Sequence, residues 1–285
     1  MSADQLAQQL LEEFLKYDRH LPLEAEERDF EEEPDIGQAQ LRHITFLSAR
    51  DQRVPALLTL PSNTAPPYPV VLILHGVFGH KSSVNQRKRA AFLTKAGYAT
   101  LRIDGQYCGE RAVPGGTIGL HNQHVYRNRD AMIQTAIDLM RSIDYLISRN
   151  DIAKERIGFA GFSMGGAIGT LFCAHEPRIR AVVLGITGGD FSKFNISAGH
   201  DTQVSRAYGL VDPMLSVHRI APRPLLMLNA EHDVVVPRAA TEALFEAAGE
   251  PKRIIWYNCG HAELPDEALR EMVRFFDLHL LKAKL

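Results

Sequence analysis

Gly161-Phe162-Ser163-Met164-Gly165 follows directly on an apolar run, Arg156-Ile157-Gly158-Phe159-Ala160, and precedes a stretch typical of a helix. The apolar run is typical of a buried strand, so the pentapeptide lies where a strand turns into a helix. A serine flanked by glycines at such a turn has its hydroxyl exposed on a strained backbone, and the glycines let helix and strand approach closely. We predict that Ser163 is a nucleophile; the alternative is an ordinary small residue at a tight turn.

A nucleophilic serine needs a base that takes its proton and an acid that orients the base. Asp233 lies in the loop after the apolar run 224–230, and His261 follows the apolar run 253–257. A helix predicted between these runs makes them successive strands of one parallel sheet, whose carboxyl ends meet at one edge. We therefore predict Asp233 as the acid and His261 as the base of Ser163.

Both partner residues have other interpretations. Asp233 could cap the helix that starts near Pro237, because aspartate is a preferred N-cap residue. His261 could be a structural histidine, and His232, next to the acid, is a competing base. The order of nucleophile, acid and histidine along the chain favours His261.

Four motifs in this order carry a family resemblance. They are His75-Gly76 after the strand Val70-Val71-Leu72-Ile73-Leu74, the Ser163 pentapeptide (the elbow, residues 161–165) with its following Gly166, the Asp233-Val234-Val235-Val236-Pro237 turn and Gly260-His261. Over about residues 41–282 the chain resembles the α/β-hydrolase superfamily, within it the dienelactone-hydrolase-like and acetyl-esterase-like serine hydrolases. The resemblance implies an oxyanion hole formed by the backbone amides of Val77 and Met164.

Two features depart from the family pattern. His75-Gly76-Val77-Phe78-Gly79 is not the HGGG form of many lipases and esterases. The nucleophile is serine, whereas dienelactone hydrolases proper resemble this chain but use cysteine. The dienelactone reaction itself is therefore disfavoured.

The fold class follows from apolar runs that alternate with helical stretches. We predict an α/β fold: a doubly wound, mostly parallel sheet with antiparallel N-terminal strands over 44–60 and helices on both faces. The predicted parallel strands are 70–74, 98–103, 156–160, 180–186, 224–230 and 253–257.

Two regions are expected along the chain. Residues 1–40 form an appendage, with a helix over 4–17 whose apolar stripe contains Leu6, Leu10 and Phe14 with Leu11 and Leu15 beside them. An acidic segment over 24–35 follows and is predicted as a solvated linker or charged helix. Covering a sheet edge is its default role; capping the active site or joining a dimer are alternatives. Residues 41–285 form the catalytic domain.

The composition of the chain limits the classes of partner that it can bind. The 285 residues have a net charge of −2 without a basic cluster, so we expect neither nucleic acid nor an anionic membrane as partner. Three cysteines give no disulfide framework, and no run reaches the roughly 18 apolar residues of a membrane span. A soluble cytoplasmic protein is predicted; a homo-oligomer is not indicated.

Metal and cofactor sites are not predicted. His121 and His124 have a spacing that suggests a metal pair, but no further ligand cluster completes a site, so a solvated loop is preferred. Asp104 closes another strand, yet it precedes the serine and is assigned a structural role in tying a loop near the site. Cys259, near the base, is a packed small residue or a reactive thiol.

Specificity is expected to depend on what covers Ser163. The stretch 188–222 is long enough for a short lid and one helix. Predicted pocket walls are the aromatic side chains Phe78, Phe162, Phe191 and Tyr208.

The expected reaction is hydrolysis of carboxylic esters with small to medium acyl groups through an acyl-enzyme. Short-peptide, thioester or carbon–carbon bond hydrolysis would use the same side chains. A non-catalytic binding protein on a hydrolase scaffold is the alternative from another class.

Overall fold

The computed structural model describes residues 3–30, 39–50, 52–114, 124–194, 207–262 and 264–281. They contain a nine-stranded sheet in the order β1-β2-β3-β5-β4-β6-β7-β8-β9. The strands are β1 Glu26–Asp29, β2 Gln40–Leu47, β3 Arg53–Leu60, β4 Tyr68–Leu74, β5 Ala99–Ile103, β6 Ile152–Phe162, β7 Ala181–Gly185, β8 Leu225–Ala230 and β9 Lys252–Tyr257.

Strand direction alternates over the first four strands of the sheet order and is constant over the rest. Strands β1, β2 and β3 pair antiparallel, and β3 pairs antiparallel with β5. From β5 to β9 every neighbouring pair is parallel, and each connection crosses over the sheet. The predicted mostly parallel sheet with antiparallel N-terminal strands is confirmed.

Helices cover both faces of the sheet. Side chains of α1, α3, α4 and α5 pack into one core, whereas those of α2 and α6 pack into the core on the other face. No helix within the described ranges is long and apolar enough to cross a membrane. The helices are α1 Ala3–Leu15, α2 Val84–Lys95, α3 Val125–Ser148, α4 Met164–His175, α5 Arg238–Ala247 and α6 Asp266–Phe276.

The central parallel strands are buried because helices cover both faces of the sheet. All residues of β5, β7 and β8 are buried, as expected for strands covered by helices on both faces. Because these strands run in one direction, the loops that follow β4, β6, β8 and β9 lie at the same edge. That edge carries the motifs found in the sequence.

The acidic N-terminal segment differs from its prediction as a linker or charged helix. Glu26–Asp29 is an edge strand of the main sheet, paired antiparallel with β2. All four residues are exposed, so an edge strand can carry this charge, and Arg42 and Arg149 form ion pairs with Asp29 and Glu27 at 2.8 and 2.5 Å.

Helix α1 packs into the core through one side of the expected stripe. Leu11 and Leu15 are buried in the core, whereas Leu6, Leu10 and Phe14 are each 40–46% exposed. The division between residues 1–40 and 41–285 stays a prediction.

Candidate active site

The turn between β6 and α4 holds Ser163 in a strained backbone conformation. Its φ is 56° and its ψ is −125°, a region that a residue with a side chain rarely adopts. A Cβ on Gly161 would lie 2.3 Å from the carbonyl oxygen of Gly165, and one on Gly165 would lie 2.5 Å from that of Leu74. Both elbow positions therefore require glycine, because the helix passes against the strand ends.

Three side chains from three loops form one hydrogen-bonded chain. His261 Nε2 lies 2.9 Å from Ser163 Oγ, and His261 Nδ1 lies 2.7 Å from Asp233 Oδ2. With Nδ1 protonated and donating to the carboxylate, Nε2 can accept the serine proton. The structure thus brings the three predicted residues together.

His232, the competing base, lies elsewhere in the same edge. Its Nε2 is 2.7 Å from Asn258 Oδ1, and its backbone amide donates to the carbonyl oxygen of Cys259. The side chain is exposed. His261, and not His232, contacts both the serine and the carboxylate.

Asp233 is held by its own loop. Its Oδ1 accepts hydrogen bonds from the amides of Val235 and Val236, both at 2.8 Å, so Oδ2 faces His261. Burial raises the pKa of this carboxyl, but the hydrogen bonds from His261 and the two amides outweigh it and lower the pKa. Helix α5 has Pro237 as its N-cap, so Asp233 does not cap that helix.

The loop after β4 is fixed by His75, a residue that sequence reasoning used only as a motif marker. The amide of Gly105 donates to His75 Nε2 at 3.1 Å, so the ring proton is on Nδ1, which lies 2.8 Å from the carbonyl oxygen of Gly76. In a trans peptide the N–H points opposite to the carbonyl. Holding the Gly76 carbonyl therefore fixes the direction of the Val77 amide.

Burial lowers the pKa of His75, so the folded protein holds this ring neutral. Between this lowered pKa and the ordinary value of about 6.5 the unfolded chain binds more protons, so folding stability falls as the pH drops below about 6.5. We expect His75→Gln to flatten this loss relative to wild type when unfolding free energy is measured from pH 8 to 5.

The comparison of variants isolates His75, because the pKa of His175 and that of His279 are also lowered by burial and contribute to the wild-type profile. His20→Gln, at an exposed position, serves as the matched control and should keep the wild-type profile. Identical pH profiles for His75→Gln and wild type would contradict the assignment.

The two residues predicted to supply the oxyanion amides line one small cavity. Met164 is the first residue of α4, and the first N–H groups of a helix have no acceptor within it. Val77 and Met164 both line a cavity of about 10 Å³, room for one water molecule, together with Leu74, His75, Gly76, Gly105, Cys108, Thr135 and Ile168.

Gly76 lies against the serine side chain. A Cβ at this position would lie 3.1 Å from Ser163 Cβ and 3.6 Å from Ser163 Oγ. We expect Gly76→Ala to lower kcat about 10- to 100-fold with the fold retained, because small displacements of reacting groups have effects of this size. Steady-state kinetics measures the change in kcat, and thermal unfolding tests whether the fold is retained.

Gly209→Ala is the control for Gly76→Ala, since a Cβ there meets no atom of the described residues within 4 Å. Loss of activity in both variants, or in neither, would contradict the crowding of Ser163 by residue 76.

The predicted aromatic pocket is corrected in part. Phe162 is 1% exposed in the core on the α2 side, and its ring stacks under the Arg89 guanidinium, because its side chain points into the sheet face away from α4. It is not a pocket wall. Phe191 and Tyr208 are buried with ring centroids 6.1 Å apart, whereas Phe78 is 77% exposed. Residues 195–206 of the predicted lid lie outside the described residues.

Asp104 ties two loops together, as its structural interpretation requires. It is fully buried, pairs with Lys81 Nζ at 2.5 Å and accepts hydrogen bonds from the amides of Lys81 and Glu110. Lys81 Nζ also contacts Glu110 at 2.6 Å. This network could not be predicted from sequence, because Lys81 and Glu110 are ordinary surface residue types.

The expected absence of a metal site is tested only in part. His121 lies outside the described residues, and His124 precedes α3 in a left-handed conformation. Across the part of the chain that the structure describes, no group of three or more His, Cys, Asp or Glu side chains could hold a metal ion.

Known proteins resemble this chain in sequence and in fold. The chain is 25% identical over 250 residues to a Yersinia pestis protein provisionally named a carboxymethylenebutenolidase, covering 84% of this chain and 89% of the relative. Two solved acetyl xylan esterases, from Paenibacillus sp. R4 and Thermoanaerobacterium sp. JW/SL YS485, have TM-scores of 0.76 at 19% identity. They cover 97% of this chain and 94% and 98% of their own, and show a common fold.

The dienelactone hydrolase family matches residues 54–269, which is more than half of the chain. The sheet topology and the strand-to-helix elbow agree with this match. The chain is an α/β-hydrolase and belongs to the dienelactone hydrolase family.

Proposed function

We propose that this protein is a serine esterase that hydrolyses carboxylic esters with short acyl groups. The observation that carries the proposal is the chain of hydrogen bonds from Ser163 Oγ through His261 to Asp233, at 2.9 and 2.7 Å. Membership of the dienelactone hydrolase family supports hydrolysis as the type of reaction. The name of the Yersinia pestis relative describes an enzyme that cleaves a lactone, and a lactone is a cyclic ester.

In the proposed mechanism, Ser163 Oγ forms a bond to the ester carbonyl carbon while its proton moves to His261 Nε2. Asp233 stabilises the imidazolium and keeps its Nδ1 proton in place. Collapse of the tetrahedral intermediate breaks the bond to the alcohol oxygen, which takes the proton from His261. Water then attacks the acyl-serine, His261 accepts and returns a proton, and the acid leaves.

The negative charge of each tetrahedral intermediate would be held by the amides of Val77 and Met164. Preorganised amides of this kind contribute about 10²- to 10³-fold each to the rate. His75 acts here as a positioning residue, since its hydrogen bond to the Gly76 carbonyl directs the Val77 amide. The strained Ser163 backbone places the adjoining Met164 amide beside the nucleophile.

The small cavity lined in part by Val77 and Met164 supports a preference for short acyl groups. Its lining also includes Leu74, Cys108, Thr135 and Ile168, and its volume of about 10 Å³ suits a methyl group better than a chain. One methylene that does not fit costs about 10-fold or more in kcat/KM.

The experiment is a series of p-nitrophenyl esters from acetyl to octanoyl, assayed with wild type and Ser163→Ala in parallel. The proposal expects serine-dependent turnover that is highest for acetyl. Equal turnover of acetyl and octanoyl esters would contradict the acyl-size assignment. Labelling of Ser163 by a fluorophosphonate without ester turnover would favour peptide or carbon–carbon substrates, and neither labelling nor turnover would favour a binding protein.

A further inference from the structure

A buried arginine lies beneath the nucleophile elbow and takes no part in the proposed reaction. Arg89, on α2, is 7% exposed, and its Cζ lies 3.6 Å from the ring centroid of Phe162, the residue before Ser163. Among the described residues, the contact found for its guanidinium is this stacking on Phe162. A buried charge without a partner is costly, so stacking on Phe162 alone compensates it poorly.

The Arg89 side chain lines a cavity of about 230 Å³ between two helices. Asn85 and Lys88 line it with Arg89 on the α2 side, and Ala262, Pro265 and Asp266 line it on the other. Ala262 directly follows the predicted base, His261. The cavity thus lies behind the loop that carries the base, on the sheet face away from α4.

The charges around this cavity favour an anion. Lys88 Nζ pairs with Asp266 Oδ1 at 2.6 Å, so among the described residues that line the cavity the positive charge of Arg89 is in excess. Burial lowers the pKa of Arg89 to about 9, so the guanidinium is still charged at neutral pH. Helix α6 begins at Asp266 with Pro265 as an N-cap that makes no side-chain hydrogen bond, so its first amides add partial positive charge.

We propose that this cavity binds a small organic monocarboxylate, held by the Arg89 guanidinium as a bidentate ion pair. A single excess positive charge suits a monoanion better than a phosphate dianion. Leu264 and Leu269 also line the cavity and would contact the apolar part of the ligand. The acid released by ester hydrolysis belongs to this chemical class, a link that rests on the proposed function; the binding site itself does not.

Binding is tested by thermal unfolding and calorimetric titration with potassium butanoate, inorganic phosphate and chloride at constant ionic strength. We expect a saturable rise in Tm with butanoate for wild type, as for any ligand of the folded state. Arg89→Met should weaken butanoate binding about tenfold or more, because a charge-assisted pair is lost. Arg19→Met, at an exposed position, should bind as wild type.

Further variants keep the test decisive. If Arg89→Met does not fold, Lys88→Met on the exposed rim should still weaken binding several-fold, since it alters the charge around the cavity. Protein labelled at Ser163 with a fluorophosphonate should bind butanoate unchanged, which separates this cavity from the active site whether or not the protein proves to be an esterase.

Three results would overturn the proposal. They are no butanoate binding to wild type, undiminished binding to folded Arg89→Met, and a response to phosphate alone.

Discussion

Ser163→Ala abolishes ester hydrolysis and leaves the fold intact. Loss of the nucleophile removes the covalent route, and we expect kcat to fall about 10⁴-fold or more, to the residual rate that binding and the oxyanion amides support. The side chain is half-buried at a turn, and its hydroxyl is bonded to His261, so its removal costs little packing. Steady-state kinetics with p-nitrophenyl acetate measures the loss of activity, and circular dichroism tests whether the fold is intact.

Ser192→Ala is the matched control for Ser163→Ala. Its hydroxyl is exposed and bonded to Asp190, so this variant should keep wild-type turnover. Turnover by Ser163→Ala within tenfold of wild type would refute the nucleophile assignment. The same substitution should also abolish fluorophosphonate labelling.

Asp233→Asn lowers kcat by about 10⁴-fold, the second largest expected effect. The asparagine amide can donate where the carboxylate accepts, so it would favour the His261 tautomer with its proton on Nε2, facing Ser163. That tautomer cannot accept the serine proton. The amides of Val235 and Val236 can still donate to the asparagine oxygen, so the loop should keep its conformation. Steady-state kinetics on folded protein gives the measurement.

Histidine variants separate the catalytic from the structural interpretation. His261→Ala should lose activity as Ser163→Ala does, whereas His232→Ala, which removes only the contact with Asn258, should keep it. The reverse pattern would make His232 the base. Full activity of Asp233→Asn would leave the carboxylate with a role in loop structure alone.

The parallel part of the fold could be predicted because each strand is a short apolar run between helical stretches. The run predicted over 98–103 is strand Ala99–Ile103, and that over 180–186 is Ala181–Gly185. Strand β1 could not be predicted, since Glu26–Asp29 contains no apolar residue. Its partners on β2 and its cationic neighbours hold it in the sheet, and a local pattern carries no information about them.

The triad residues could be proposed from sequence because the order of elements places three loops at one edge. Residues that act through others were missed. His75 holds the oxyanion loop by the tautomer that Gly105 imposes, and Arg89 is buried although its helix has the composition of a surface helix. Both depend on contacts between distant segments. The prediction of Phe162 as a pocket wall was wrong. Side chains of neighbouring residues in a strand point to opposite faces, and Phe162 points into the core on the α2 side of the sheet.

The formation of an acyl-enzyme on Ser163 can be measured by peptide mass mapping of protein that is quenched with acid during turnover of p-nitrophenyl acetate. We expect the mass of one acetyl group on the peptide that contains Ser163, and we expect no such mass in Ser163→Ala. Acetylation of another residue, or turnover with Ser163 unmodified under conditions where release of the acid limits the rate, would contradict it.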